Sequence, residues 1–244
     1  MQKYTRNFYS GISRDGDKSA EVTVPLILSL YKPQSIIDVG CGPGNWLRAF
    51  HQAGIQDYKG IDGEWFRKEQ LVIPPDNFSS VDLSRAFSFE RNYDLALSLE
   101  VAEHLPESSA DTFIKCLCQL APAVIFSAAI PGQGGTLHLN EQWSDYWVRK
   151  FAANNFQAFD SLRPLLWSNP SVQAHYAQNI LVFVRKGCLQ VCFPSERAVQ
   201  DPKSLRVVHP SLFAKRTDPT QYSIKGFILK TIPNYLKAKL GLLK

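Results

Sequence analysis

The stretch Ser35-Ile36-Ile37-Asp38-Val39-Gly40-Cys41-Gly42-Pro43-Gly44-Asn45-Trp46 decides how this chain folds. A β-branched apolar run closes on an acid, and glycines then recur at every second position. Trp46 to Ala53 reads as a helix stopped at Gly54. Strand, tight turn and helix in that order build a cradle. Glycine lets backbone approach a ligand closely, and a helix N-terminus presents unpaired N–H groups to a negative group.

The spacing also separates two kinds of ligand. The dinucleotide fingerprint is Gly-x-Gly-x-x-Gly, whereas here it is Gly-x-Gly-x-Gly with Asp38 two residues ahead of Gly40. A carboxylate at a strand tip meets a pyrophosphate poorly and a cationic amino group well. The expected ligand therefore carries an ammonium, a ribose and an adenine, as S-adenosylmethionine does.

Outward from this motif the pattern alternates strand and helix. A helix is expected from Ser19 to Tyr31, ended by Pro33. Strands are expected at Ser35–Val39, Tyr58–Ile61, Phe78–Val81, Tyr93–Ser98, Ala123–Ser127, Phe156–Leu162 and Asn179–Arg185, with further helices at Ser108–Leu120 and Trp143–Asn154. Such alternation argues an α/β fold with a parallel, doubly wound, seven-stranded sheet. No helical crossover is evident between Pro164 and Gln178, so the last strand is expected to be antiparallel.

At 244 residues, the chain can bury one sizeable core and an appendage. Five cysteines form no CxxC pair, which fits inert thiols in a reducing compartment. Lys3 and Arg6 precede polar residues and not an apolar signal-peptide core, and no apolar run is long enough to span a bilayer. The chain reads as cytoplasmic. The net charge of +5 is unevenly spread: residues 1–186 hold 17 Lys and Arg against 19 Asp and Glu, and residues 187–244 hold 10 against 3. Two parts are therefore expected, a ligand-binding domain over 1–186 and a basic C-terminal extension over 187–244. Nucleic-acid binding is not expected of the near-neutral first part. From Tyr222 on, Ile224, Phe227, Ile228, Ile232, Leu236 and Leu240 mix with five lysines, so that end is a candidate for peripheral contact with an anionic membrane.

Ligands of such sheets bind beyond the carboxyl ends of the strands. Asp38, Asp62, Asp82 and Glu100 fall at or just past expected strand ends. Asp62, followed by Gly63, is placed to accept both ribose hydroxyls. Asp82 is placed to accept from an adenine amino group while Leu83 packs on the ring.

With these residues in order, the chain resembles the class I S-adenosylmethionine-dependent methyltransferases over roughly residues 20–185. The resemblance is carried by Asp38-Val39-Gly40-Cys41-Gly42-Pro43-Gly44, Gly60-Ile61-Asp62, Val81-Asp82-Leu83 and Tyr93-Asp94-Leu95-Ala96-Leu97-Ser98-Leu99-Glu100-Val101-Ala102-Glu103-His104-Leu105. It implies a Rossmann-like sheet with an antiparallel last strand. It also implies a cofactor site in which Asp38, Gly40, Cys41, Gly42 and Gly44 take the methionine end, Asp62 and Gly63 the ribose, Asp82 and Leu83 the adenine, with Leu99 and Glu100 alongside.

Glu100, Glu103 and His104 have the i, i+3, i+4 spacing that shares one face on the first turn of a helix. With His138, from the polar stretch Pro131 to Trp143, they make a candidate set of ligands for Mg²⁺ or another divalent metal. That set is similar to those of ubiquinone-pathway O-methyltransferases and small-RNA terminal 2′-O-methyltransferases. Without metal, His138 or Glu141 is the expected general base and His104 a further candidate catalytic residue; the resemblance to metal-free class I enzymes implies instead that His104 packs beneath the cofactor. Pro131 to Trp143 also resembles a stretch in bacterial methyltransferases of polysaccharide and secondary-metabolite pathways, which implies a sugar or another small hydroxylated acceptor. Trp143, Tyr146 and Trp147 are candidates to stack on its ring. Two other readings stay open: a methyltransferase acting on RNA or protein held by the basic tail, and a cofactor-binding scaffold without chemistry. The oligomeric state is not legible.

Overall fold

The computed structural model describes residues 6–64, 66, 68–188 and 197–218, with side chains from Asp17 onward. Helix α1 (Arg6–Leu30) leads into β1 (Ser35–Val39), and α2 (Asn45–Gln52) follows the glycine turn. Then come β2 (Asp57–Asp62), β3 (Phe78–Ser80), β4 (Leu95–Leu99), α3 (Ala110–Leu120), β5 (Ala123–Ser127) and α4 (Ser144–Ala153). The series ends with β6 (Phe156–Phe159), the short helices α5 (Arg163–Leu166) and α6 (Ala174–Asn179), β7 (Leu181–Arg185) and α7 (Pro210–Thr217).

The seven strands form one sheet in the order β3-β2-β1-β4-β5-β7-β6. All pairings are parallel except those of β7, which runs antiparallel to β5 and β6. Strand order therefore reverses between β1 and β4, and the crevice at their carboxyl ends is where an open sheet binds its ligand. The α/β fold expected from the sequence is the one observed, down to the antiparallel last strand.

Strand residues alternate between two cores, as a pleat requires. Ile36, Leu95, Leu97, Ile125, Val182 and Val184 pack on the face that carries Val24, Ile27, Leu47, Phe50 and Leu166. Ile37, Ala96, Val124, Phe126, Leu181 and Phe183 pack on the other, with Phe113, Leu117, Trp147 and Phe151. Every residue of β1, β4 and β5 is buried, which is why these strands read as continuous apolar runs in the sequence.

Three boundaries differ from expectation. Helix α1 begins at Arg6 and not near Ser19, and it carries Pro25 in its interior. The segment between β6 and β7 does hold helix, but only the two short pieces α5 and α6, which turn the chain back alongside β6. The first compact unit spans Met1–Val207, so the boundary expected at 186/187 falls inside it, and the second unit is Val208–Lys244. Residues 198–207 belong to the first unit through definite contacts. Val199 N–H donates to Ala158 O at 2.8 Å, Leu205 is buried in the core, and Arg206 makes two bonds to Asp145 on α4, at 2.7 and 2.8 Å. In the second unit, α7 is capped by His209, whose Nδ1 accepts from Ser211 N–H at 3.2 Å. The amphipathic end from Tyr222 on lies outside the described residues. Among the described residues, no helix is long and apolar enough to cross a membrane.

Candidate active site

The turn after β1 needs its glycines for different reasons. Gly40 has φ +84°, and a Cβ there would collide with Val101. Its N–H and that of Cys41 both donate to Ile61 O, at 2.8 and 3.0 Å, locking the turn to β2. Gly44 has φ +93° and starts α2. At Gly42, φ +52°, a Cβ would meet nothing within 4 Å, because that side opens on a cavity of about 610 Å³.

Asp38 and Asp62 face this cavity from β1 and β2. Burial, with the Asp62 charge added, pushes the Asp38 carboxyl up to about 8. Burial raises Asp62 to about 6, against the pull of two backbone N–H groups. Those donors are Gly42 at 2.7 Å and Gly63 at 2.6 Å, one to each carboxylate oxygen. An ionised carboxylate has lone pairs left over for two hydroxyls. Leu83 and Leu99 line the cavity, but Asp82 does not. Its Oδ1 turns back to accept Ser84 N–H at 3.0 Å and Ser84 Oγ–H at 2.6 Å in a local turn, and its Oδ2 pairs with Arg85 Nε at 3.2 Å.

The region beyond β4 departs from the expected helix. Glu100 takes φ +56°, and Ala102–His104 form a single 3₁₀ turn. Glu100 is not grouped with the other candidate ligands, because its two oxygens accept from Gln133 Nε2 at 2.9 Å and Asn179 Nδ2 at 3.0 Å. Gln178 closes the network on Gln133 at 3.1 Å and Asn179 at 2.8 Å. Glu103, His104 and His138 do come together, each offering one ligand atom within 4.8 Å of the others. Glu103 is fully buried, and neither carboxylate oxygen makes a well-aligned hydrogen bond. Burial and the Glu100 carboxylate push its pKa well above the ordinary range. Burial, and then the His138 imidazole, lower His104, favouring its neutral form.

The loop after β5 is pinned at both ends. Leu139 and Asn140 N–H donate to Glu103 O at 2.7 and 3.0 Å. Glu141 sits behind His138, bonding its Nδ1 at 2.8 Å, and also accepts Gly132 and Gly134 N–H at 2.8 and 2.7 Å. Burial opposes ionisation of Glu141, but these three bonds outweigh it and hold the carboxyl below its usual value. Nδ1 being engaged, Nε2, which lies against Gly135, is the ring nitrogen not bonded to Glu141. The ring stands edge-on to His104, centroids 4.9 Å apart.

A family model for the methyltransferase domain matches residues 16–169, well over half of the chain. The chain belongs to this methyltransferase family. Its methyl donor is S-adenosylmethionine, and the cavity at the β1/β4 reversal fits that molecule: a carboxylate pair, an open glycine face and a leucine wall. The fold is shared with several solved methyltransferases. A sugar N-methyltransferase from Streptoalloteichus superposes with a TM-score of 0.54 at 15% identity, over 73% of this chain and 91% of that one. An amino pentose methyltransferase of calicheamicin biosynthesis, from Micromonospora echinaspora, gives 0.53 at 15%, over 75% and 98%. The magnesium protoporphyrin IX methyltransferase of Synechocystis, with bound S-adenosylmethionine, gives 0.51 at 22%, over 71% and 81%. No curated protein matches the sequence significantly.

Of the methyltransferase residues anticipated from the sequence, the cavity gathers Asp38, Gly40, Cys41, Gly42, Asp62, Leu83, Leu99, Glu100, Glu103, His104 and His138. Trp143, Tyr146 and Trp147 do not line it: Trp147 is core, 5.2 Å from Phe126 between ring centroids. Sequence reasoning missed Trp46, Gln173, His175 and Tyr176 as wall residues, and Gln133, Gln178 and Asn179 as the support of Glu100. The available signal was a Gln-Asn pair standing directly before the apolar run of β7.

Proposed function

We propose that this methyltransferase O-methylates a hydroxyl of a sugar or related polyol, with His138 as general base. The observation that carries the proposal is His138 on the cavity wall with Glu141 behind it, an imidazole oriented by a carboxylate that stays ionised. Bound S-adenosylmethionine supplies an electrophilic methyl on its sulfonium. Asp38 meets the ammonium and Asp62 the ribose hydroxyls, holding the donor beside the β4 tip. His138 Nε2 takes the acceptor hydroxyl proton as the oxygen–carbon bond forms and the carbon–sulfur bond breaks, and Glu141 stabilises the resulting imidazolium. Orienting the two reactants supplies most of the acceleration in such a displacement. The described cysteines, Cys41, Cys116, Cys118 and Cys188, are all free, which supports a reducing, cytoplasmic setting.

Transfer of labelled methyl to a panel of neutral sugars and polyols tests this reading, with mass spectrometry separating O- from N-methyl products. His138→Ala should lower kcat by about 10²–10⁴-fold, the usual contribution of a general base, while S-adenosylhomocysteine affinity holds. Undiminished turnover in that variant would remove the base. A second reading is favoured by buried Glu103, neither of whose carboxylate oxygens makes a well-aligned hydrogen bond: with His104 and His138 it would hold a divalent cation that lowers the pKa of the attacked hydroxyl. It requires that EDTA abolish turnover and Mn²⁺ or Mg²⁺ restore it, whereas the base reading requires indifference to both.

A further inference from the structure

The cavity wall holds no permanent cation. Among the 25 described residues around it are four acids, Asp38, Asp62, Glu100 and Glu103, and three imidazoles, His104, His138 and His175, but neither a lysine nor an arginine. A phosphate or carboxylate beside the reacting hydroxyl would meet only imidazoles there, and a desolvated anion without a fixed countercharge is costly. The rim has a different character. Leu137 and Leu139 both belong to the cavity wall, yet they are 49% and 64% exposed, while the side chain of His138 between them is only 11% exposed.

The loop does not place them there by slackness. Leu137 holds φ +60°, a left-handed conformation that a branched aliphatic residue rarely adopts and that gathers at functional sites. The N–H of Leu139 is tied to Glu103 O, and Gly132 and Gly134 are tied to Glu141. A pinned, strained loop thus keeps two large apolar side chains in water on either side of the base. Covering them with an apolar surface is favourable in proportion to the area removed from water. They continue the wall of the reaction cavity, so what covers them is the molecule being methylated.

We infer that the acceptor is amphipathic: an uncharged, hydroxyl-bearing ring enters the cavity, and an apolar substituent beside it lies across Leu137 and Leu139. The inference rests on the methyl-acceptor reading of this cavity and adds the chemical class of its occupant.

The test uses the full chain loaded with S-adenosylhomocysteine, so that no chemistry intervenes. Binding of octyl β-D-glucopyranoside, below its micelle concentration, is compared with that of methyl β-D-glucopyranoside and glucose 6-phosphate by saturation-transfer NMR and calorimetry. The octyl glycoside should bind at least tenfold tighter than the methyl glycoside, and the phosphate should bind more weakly than either. Leu137→Ser/Leu139→Ser should erase the octyl preference, with S-adenosylhomocysteine affinity reporting an intact fold. Leu139→Ser alone should reduce the preference if the double variant fails to fold. Equal or undetectable binding of the two glycosides, tighter binding of the phosphate, or an octyl preference that survives the substitutions would overturn the inference. So would concentration-dependent dimerisation abolished by the same substitutions, which would assign the leucines to a second copy of the chain. His138→Ala must leave the preference in place, so failure of the base and failure of the rim give different results.

Discussion

Cofactor affinity should depend on pH through one buried carboxyl. Asp38 is 3% exposed, and its pKa stands near 8, raised by burial and by Asp62. At neutral pH it is therefore mostly protonated. A ligand ammonium placed against it favours the charged form, so binding has to expel the proton. Below a pKa of about 8, each unit of pH should then cost roughly tenfold in affinity, since one unit corresponds to about 1.36 kcal/mol. For Asp38 alone this comes to roughly a hundredfold at most between pH 5.5 and 7.5, with affinity rising as pH rises. Asp62, near 6, adds to it in the same direction at the acid end of that range. The window stops short of 8 because the ligand's own α-amino group begins to titrate there.

Calorimetry with S-adenosylhomocysteine reads both halves of the argument. The dissociation constant should fall as pH rises, and the apparent enthalpy at pH 7 should vary with the ionisation enthalpy of the buffer, showing release of close to one proton. Asp38→Asn should bind more weakly than wild type at pH 7.5, converge on it toward pH 5.5, and lose most of the buffer dependence. A flat profile in the wild type, or an Asp38→Asn profile as steep as the parent's, would refute the placement of the ammonium at Asp38.

Gly135→Ala is expected to act on the base without touching it chemically. The new Cβ would collide with the His138 ring, most closely at Nε2 and at 2.5 Å from Cε1 and 2.8 Å from Cδ2, so the ring must retreat by more than about 1 Å to reach ordinary van der Waals separation. A misplacement of that size costs about 10²-fold in rate, to be seen in single-turnover methyl transfer with S-adenosylhomocysteine affinity retained. Arg163→Met should lower stability in urea by about 2–6 kcal/mol, since it strands two buried carbonyls at about 1–3 kcal/mol each; those of Leu205 and Gln178 now accept from its guanidinium at 3.0 and 3.3 Å. Asp145→Asn should lower the thermal midpoint at pH 7. Hydrogen bonds from Arg206 and Arg149 hold the folded Asp145 carboxyl near 2, below its ordinary 3.8. Its contribution is therefore complete above about 4 and fades as pH falls through 2, where wild type and variant should converge.

How far the sequence discloses the site depends on which physical rule places each residue. Asp38, Asp62 and Glu100 were legible because a buried parallel strand is a continuous apolar run, and the first acid after it marks the sheet edge where ligands bind. Asp82 stands after a strand in the same way, but a hydroxyl two residues on, at Ser84, captured its carboxylate into a local turn. A helical face through Glu100, Glu103 and His104 required 3.6 residues per turn starting at Glu100. The left-handed Glu100 and a 3₁₀ turn intervene instead, so Glu100 swings to Asn179 and Gln133 while Glu103 turns inward.

The remaining wall was hidden for a different reason. Gln133, Gln178 and Asn179 bond to Glu100 across sequence separations of 33 to 79 residues or to one another across about 45. No local periodicity encodes such pairs; they exist because β4, β5 and β7 are neighbours in the sheet. Of the aromatics that were candidates for stacking, Trp147 on α4 lies in the core, since an aromatic on a helix between two layers gains more by filling the core than by lining a cleft. The strand-tip half of the cavity is therefore set by rules a sequence displays, and it fixes the donor. The loop half, from Gly132 to Glu141, is set by long-range hydrogen bonds and a strained Leu137. That half governs which acceptor enters, so comparing glycosides on the Leu137 and Leu139 variants probes what the motif at Gly40 cannot specify.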